Sequence, residues 1–245
     1  MRQLPILFST PMVQAILEDK KTMTRRTQGL DKLNILVKQG FDFRYDSIED
    51  GPDKEGYVYF ERLTFTPNEK PTEEYRRVKP KYQIGDQIWV KESYYAYGYW
   101  KIDGKTKTGK EKLRFIDCTS KCFYKYDYYP NIPETVEFDR SQEGWWKRNS
   151  LFMPKKAARI WLECTGVRCE RLMDISESDA KAEGATEWSK ANDIKYLKGS
   201  KSNLPKPCGP FKFSFILLWC KINGVESFDS NPWIFVYSFK RIEKP

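Results

Sequence analysis

The chain of 245 residues contains no histidine. That absence excludes Ser-His-Asp and Cys-His catalysis and every histidine-ligated metal site. It leaves acid–base chemistry to Asp, Glu, Lys, Tyr or Cys. Cysteine is sparse, six in all, and only Cys118 and Cys122 stand at a spacing loosely like that of metal ligands. With no second such pair, the expectation is free thiols in a reducing compartment, no metal site and no cofactor. No apolar run approaches the roughly 18 residues that a membrane-spanning helix needs. Met1-Arg2-Gln3-Leu4-Pro5 does not open a signal peptide. A cytoplasmic protein with no membrane partner is therefore expected. No internal repeat and no coiled-coil pattern is present, so nothing points to an assembly built by repetition.

What is present is aromatic and basic. Aromatic residues make up 16% of the chain, with 8 Trp, 15 Tyr and 15 Phe, and the net charge is +9 at a pI near 9.1. The first feature supplies a packed core, and the second favours a polyanionic partner, nucleic acid first.

The stretch from Ile6 to Arg26, ILFSTPMVQAILEDKKTMTRR, organises the rest. It predicts a short strand, a helix capped by Thr10 with Pro11 in its first turn, a tight turn at Asp19-Lys20, and a second strand. Met12, Val13, Ile16 and Leu17 share one helical face. In the second strand Thr22, Thr24 and Arg26 point one way, and Lys21, Met23 and Arg25 point the other. Lys20, Lys21, Arg25 and Arg26 with two threonines in seven residues form a candidate anion site. The alternative is a solvated basic strand edge.

Further on, residues 27–80 read as polar and irregular, with turns at Gly51-Pro52-Asp53 and Pro67-Asn68-Glu69, a strand at Gly56–Leu63 paired with 42–46, and a loop over Glu69–Lys81. Gly85-Asp86 turns into the buried-strand run Ile88-Trp89-Val90, followed by Lys91 and Glu92. Residues 93–150 interleave aromatics with lysines, among them Tyr94, Tyr95, Tyr97, Tyr99, Tyr126, Tyr128, Tyr129, Trp145 and Trp146. That pattern suits base stacking with phosphate contact, or a hairpin insertion whose rings pack inward. Ile160–Thr165 alternates as a half-buried strand. Ser176 with Asp179 imitates a capping box, and Gly184 ends that helix. Lys190–Lys206 reads as a basic loop. Phe211–Ile222 predicts a core helix with Phe215, Ile216, Leu218, Trp219 and Ile222 on one face, and Ile234–Phe239 a final buried strand.

Lys21-x-x-Thr24-x-Arg26 after an amphipathic helix resembles the signature of ASCH domains, relatives of the RNA-binding PUA fold, with Asp19 in place of the family's glycine. The segment Gly85–Glu92 is similar to the next strand of that group. Met153–Ile160, Glu170–Gly184 and the Ser230-Asn231-Pro232-Trp233 turn resemble a phage- and prophage-encoded ASCH-like group, which implies the cytoplasm of a bacterial host. The resemblance implies an α+β fold: a PUA-like mixed β-barrel with flanking helices, one domain over 1–245, with insertions at about 30–75 and 93–150. It implies a basic cleft that binds RNA or a nucleoside or modified base, with Lys20, Lys21, Arg25, Arg26, Trp89 and Lys91 as binding residues. Arg26 and Lys21 would hold a phosphate or carbonyl, and Trp89 or a tyrosine would stack a base. Some ASCH relatives are amidohydrolases acting on acetylated cytidine. Carried over by motif, their catalytic residues are Lys21, Thr24 and Glu183. A ribonuclease and a phage structural or assembly protein are the remaining readings.

Overall fold

A computed structural model of the chain describes residues 1–46, 55–62, 74–124, 139–186 and 209–245. The turn signals at 51–53 and 67–69, the basic stretch Lys190–Lys206, Tyr126, Tyr128, Tyr129, Cys208 and the side chain of Cys122 lie outside the described residues. The chain divides into two compact units, each assembled from separate segments. The first comprises Met1–Arg2, Ala15–Gln87 and Glu163–Arg241, and the second comprises Gln3–Gln14, Ile88–Leu162 and Ile242–Pro245. Helices and strands are mixed along the chain, so the class is α+β. Among the described strands no sheet closes on itself.

In the first unit, strand β2 (Met23–Arg26) pairs antiparallel with β11 (Trp233–Ile242), placing Thr24 opposite Tyr237, Arg25 opposite Val236 and Arg26 opposite Phe235. Strand β10 (Trp161–Arg171) flanks β11 on its other side. One face of this sheet carries an apolar core. Ile234 and Val236 pack there with Leu172, Ile175 and Ala180 and with Phe215, Ile216 and Trp219 of the helix α4 (Pro210–Asn223). Pro210 occupies the first turn of α4, where its missing N–H has no partner to lose. Gly224 ends the helix at φ 85°, a conformation that a side chain disfavours. The expected core face of α4 is narrower than its sequence pattern. Ile222 is 56% exposed, because it lies in the last turn, beyond the packed stretch. Cys164 and Cys169 of β10 are buried free thiols, and Cys118 is an exposed one. Burial pushes the Cys164 thiol up to about 11.

A second sheet in this unit runs β3 (Phe43–Asp46), β4 (Val58–Arg62), β5 (Glu74–Val78), all antiparallel. The expected pairing of 42–46 with the 56–63 strand is present. Two features of 27–80 depart from the polar, irregular reading. Asp31–Lys38 is a helix, α2, that buries Leu33 and Asn34. Its acid sits in the first turn and its lysine in the last, both favourable to the helix dipole. The Asn34 side chain is used twice, donating to the Trp233 carbonyl (2.9 Å) and accepting from the Trp233 N–H (2.8 Å). Strand β5 replaces the expected loop over Glu69–Lys81, because the ladder of β4 supplies partners that its charged sequence does not advertise.

In the second unit, β1 (Gln3–Leu7) neighbours β6, whose residues there are Ile88–Lys91. A three-stranded sheet has β7 (Tyr94–Lys105) in the middle, between β8 (Glu111–Tyr124) and β9 (Gly144–Arg148). Tyr94 and Ala96 on one face of β7 pack with Met153 and Ala157. Among the described residues no helix is long and apolar enough to cross a membrane.

Candidate functional site

The helix α1 (Thr10–Leu17) begins at Thr10 itself, one residue earlier than a Thr10 cap implies. The Ser9 carbonyl accepts from the Val13 N–H at 2.9 Å. The helix ends in a turn in which the Ala15 carbonyl accepts from the N–H groups of Lys20 (2.8 Å) and Lys21 (3.0 Å). Asp19 adopts φ 55°, the left-handed conformation that glycine adopts at no steric cost and that Asp tolerates. Its carboxylate faces Arg241 at 3.5 Å. Lys20 turns outward and pairs with Glu18 at 2.6 Å, so it belongs to the surface.

Lys21 turns inward. A single bridge joins it to Glu183, at the end of the short helix α3 (Glu177–Ala182), and the Thr22 N–H donates to the Ala182 carbonyl at 2.8 Å. The helix is capped by Ser176, whose hydroxyl accepts from the Asp179 N–H at 3.1 Å. It ends at Gly184 with φ 83°. A Cβ at Gly184 would lie 3.0 Å from Ala15 Cβ and 3.1 Å from Lys21 Cβ, so this glycine allows α3 to approach the turn closely. Lys21 Nζ donates to Glu183 Oε2 (2.6 Å), to the Glu183 carbonyl (2.7 Å) and to the Met23 carbonyl (2.8 Å). Three acceptors around one nitrogen match the three N–H donors of an ammonium.

Arg25 enters the same cluster from the next turn of the strand. Its guanidinium reaches Glu170 Oε1 (2.8 Å), Asp179 Oδ2 (2.6 Å) and Glu183 Oε1 (3.3 Å), and it lies 5.7 Å from the Phe215 ring centre. Arg168 bridges Glu170 (3.0 Å) and Asp179. Three cations thus meet three carboxylates, and the Lys21 and Arg25 side chains are 0% and 1% exposed. The expected open anion site is corrected here. Lys21 and Arg25 are sequestered by carboxylates, which the local charge run, read alone, could not reveal. Burial pushes the Lys21 ammonium down from its ordinary value, the Glu183 carboxylate opposes this, and Arg26 and Arg25 add to the lowering. Burial is the leading cause, ahead of the like charges that the sequence suggests.

The other face of β2 is different in character. Thr24, opposite Tyr237, and Arg26, opposite Phe235, lie on it, as the alternation of the strand predicts. Thr24 is buried and Arg26 is half-buried. The Tyr82 and Tyr237 rings meet edge-on at 5.0 Å, and the Tyr237 hydroxyl accepts from the Lys81 N–H at 3.2 Å. Burial raises both phenols, which are therefore neutral, and their charge interaction with Arg26 places them in its field.

The structure therefore brings Lys21, Arg25 and Glu183 together on one side of β2, and Thr24, Arg26, Tyr82 and Tyr237 on the other. Trp89 and Lys91 belong to the second unit. Trp89 packs there with Ala158 and Trp161, which removes its faces from base stacking. Lys91 lies over the Trp89 ring at 5.5 Å and donates to the Leu151 carbonyl. Glu170 and Arg168 were not singled out as site residues by sequence, and Asp179 was read only as the capping-box partner of Ser176. The available signal was Arg168 and Glu170 at i and i+2 of one strand, hence on one face. Among the described residues no group of three or more His, Cys, Asp or Glu side chains is arranged to hold a metal ion. No protein-family model, no curated protein and no solved structure matches the chain.

Proposed function

We propose that the chain is an ASCH-like, PUA-related protein that binds RNA or a nucleoside-like ligand beside Arg26, with the Lys21–Glu183 cluster as the rigid support of that site. One observation carries the reading. Lys21 and Glu183 are 162 residues apart, come from the two segments with the most specific resemblance, and meet as a buried pair at 2.6 Å. The kinship with the phage-encoded group is proposed on Met153–Ile160, Glu170–Gly184 and the Ser230-Asn231-Pro232-Trp233 turn. The PUA relationship is proposed on element order, strand, helix, strand and Gly-Asp strand, with open sheets among the described residues. In this reading Arg26 holds a base carbonyl or a phosphate, and the neutral hydroxyls of Thr24, Tyr82 and Tyr237 offer hydrogen bonds to a base edge. Titration with cytidine, acetylated cytidine and a short single-stranded RNA tests it. Arg26→Ala should weaken the bound ligand at least about tenfold, the scale of one charge-assisted hydrogen bond. Absence of binding by all three ligands, or affinity indifferent to Arg26, would overturn it.

A second reading, amidohydrolysis of an acylated base, is favoured by the lowered Lys21 ammonium and the buried Thr24 hydroxyl three residues further along the chain. The three acceptors around Nζ describe a protonated lysine, so the resting site is not yet a base. Reaction would require one Lys21 proton to pass to Glu183 Oε2. It would also require Lys21 Nζ to leave its carbonyl acceptors and reach Thr24 Oγ, which the strand places on its other face; the neutral amine would then take the Thr24 proton as Oγ attacks the acyl carbon. The amide C–N bond would break, the leaving amine would take up that proton, and water would release the acyl group from Thr24. Release of acetate from acetylated cytidine, lost in Thr24→Val, would put this reading first.

A further inference from the structure

The central strand of the second unit's aromatic sheet has two unlike faces. Tyr94 and Ala96 are packed inward. Tyr95, Tyr97 and Tyr99 alternate with them and are half-buried, on the opposite face. The registers complete that face. Trp145 stands opposite Tyr97 and Lys147 opposite Tyr95 on β9, while Ile116 stands opposite Tyr99 and Arg114 opposite Lys101 on β8. Over this patch the ionisable side chains besides tyrosine are Lys101, Arg114 and Lys147. All three are exposed, and the sheet's carboxylates stand away from the tyrosine row: Asp117 is opposite Gly98 on the other face, and Asp103 and Glu111 lie toward the hairpin turn. The Tyr97 and Trp145 rings meet edge-on, with centres 5.4 Å apart. The strand is held in place from behind, where Trp100, Phe115 and Arg148 stack on the other face.

We infer that this face is a stacking platform for single-stranded nucleic acid. Three tyrosines at every second residue are about 7 Å apart along the strand, so each can meet a separate base of an extended chain. Cations at the ends of the row, on all three strands, provide partners for the phosphates. A duplex cannot use the rings, because its bases are already stacked. An acidic protein surface would use the cations alone. The combination of a π-face row and single-sign charge therefore selects an unpaired nucleic acid strand. This surface is separate from the Arg26 site, and the inference does not rest on that reading.

The test is fluorescence anisotropy of the full chain with a labelled single-stranded uridine 12-mer, the matching deoxythymidine 12-mer, and an RNA duplex. Both single strands should bind more tightly than the duplex, and polyglutamate should compete poorly. Tyr97→Ala and Trp145→Ala should each weaken binding about 5- to 100-fold, whereas Tyr97→Phe, which keeps the π-face, should bind as the parent does. Replacing Lys101, Arg114 and Lys147 together with Gln should flatten the log–log salt dependence by about 2, at roughly 0.7 per phosphate contact. Circular dichroism establishes that each variant is folded. Cytidine binding measured on the same variants should be unchanged, which separates this surface from the Arg26 site. The inference is overturned by equal affinity for duplex and single strand. It is equally overturned by full competition from polyglutamate, by indifference to Tyr97→Ala and Trp145→Ala in folded protein, or by absence of single-strand binding at low salt.

Discussion

Replacing Glu183 with Gln tests whether the Lys21 cluster is a charge-balanced unit. The change keeps the shape of the side chain and an oxygen for Lys21 Nζ, but removes one of three carboxylates facing three cations. Lys21 loses its 2.6 Å counter-charge and keeps two carbonyl acceptors. Arg25 loses a 3.3 Å contact but retains Glu170 and Asp179. The loss therefore falls mainly on Lys21, whose side chain has no exposure to water that could replace the pair. Removing one partner of a buried pair costs about 3–5 kcal/mol, and the retained carbonyl contacts put this case near about 3 kcal/mol. In thermal denaturation that is roughly 6–12 °C. Lys21→Met should cost about as much, because it leaves Glu183 with Arg25 alone. The double variant Lys21→Met with Glu183→Gln should cost at least about 1–2 kcal/mol less than the two single costs together, since a buried pair replaced as a whole is close to neutral. The pH dependence has a definite sign. Burial already lowers the Lys21 ammonium, and loss of Glu183 lowers it further. Between that lowered value and the ordinary 10.5, the unfolded chain holds a proton that the folded chain has released, so stability rises with pH. The deficit of Glu183→Gln should therefore shrink between pH 7 and pH 9.5. Urea denaturation of the four proteins at both pH values measures all of this. Single costs below about 0.5 kcal/mol that simply add would refute the reasoning, as would a deficit that grows with pH.

Two further outcomes follow from local geometry. Burial pushes the Asp86 carboxyl up, but hydrogen bonds from Arg2 and from the Gln83 N–H (2.8 Å) outweigh it and hold the group below its ordinary 3.8. Its contribution is therefore complete above that value and lost as pH falls through the lower folded one. Asp86→Asn should cost about 1–2 kcal/mol at pH 7, and melting curves of the two proteins should converge in strong acid. A gap that persists there would show that the carboxylate charge is not what matters. Gly98 of β7 admits no side chain, since a Cβ would lie 1.9 Å from the Ile116 carbonyl oxygen and 2.9 Å from Phe115 Cζ. Gly98→Ala should destabilise the β7–β8 pairing by about 1–3 kcal/mol, visible as faster proteolysis within β8. Parental stability and protection would contradict that.

Local pattern was sufficient wherever one short-range rule decided the outcome. Alternation placed Thr24 and Arg26 on one face of β2 and Met23 and Arg25 on the other, because successive side chains of any strand diverge. Ser176 and Gly184 bounded α3, because caps depend on a single turn of backbone. Where charges met other charges, local pattern was not enough. The run Lys20–Arg26 has the composition of an exposed basic edge. Only the fold brings Glu170, Asp179 and Glu183 from more than 140 residues away to neutralise Lys21 and Arg25, while Lys20 remains in water. Trp89 similarly has the composition of a stacking residue, and becomes core because Ala158 and Trp161 cover it. Strand β5 was hidden because it is polar along most of its length and is held by its neighbour, whereas helix α2 is half apolar and short, set within a stretch that is polar as a whole. The aromatic series of 93–150 carried two readings at once, and the register of β7 separates its rings by face: Tyr94 packs with Ala96 in the core, and Tyr95, Tyr97 and Tyr99 stand on the opposite, half-buried face. A sequence specifies which side chains alternate. Which side of the alternation meets the core is a property of the packed sheet, because burial is settled by what arrives from elsewhere in the chain.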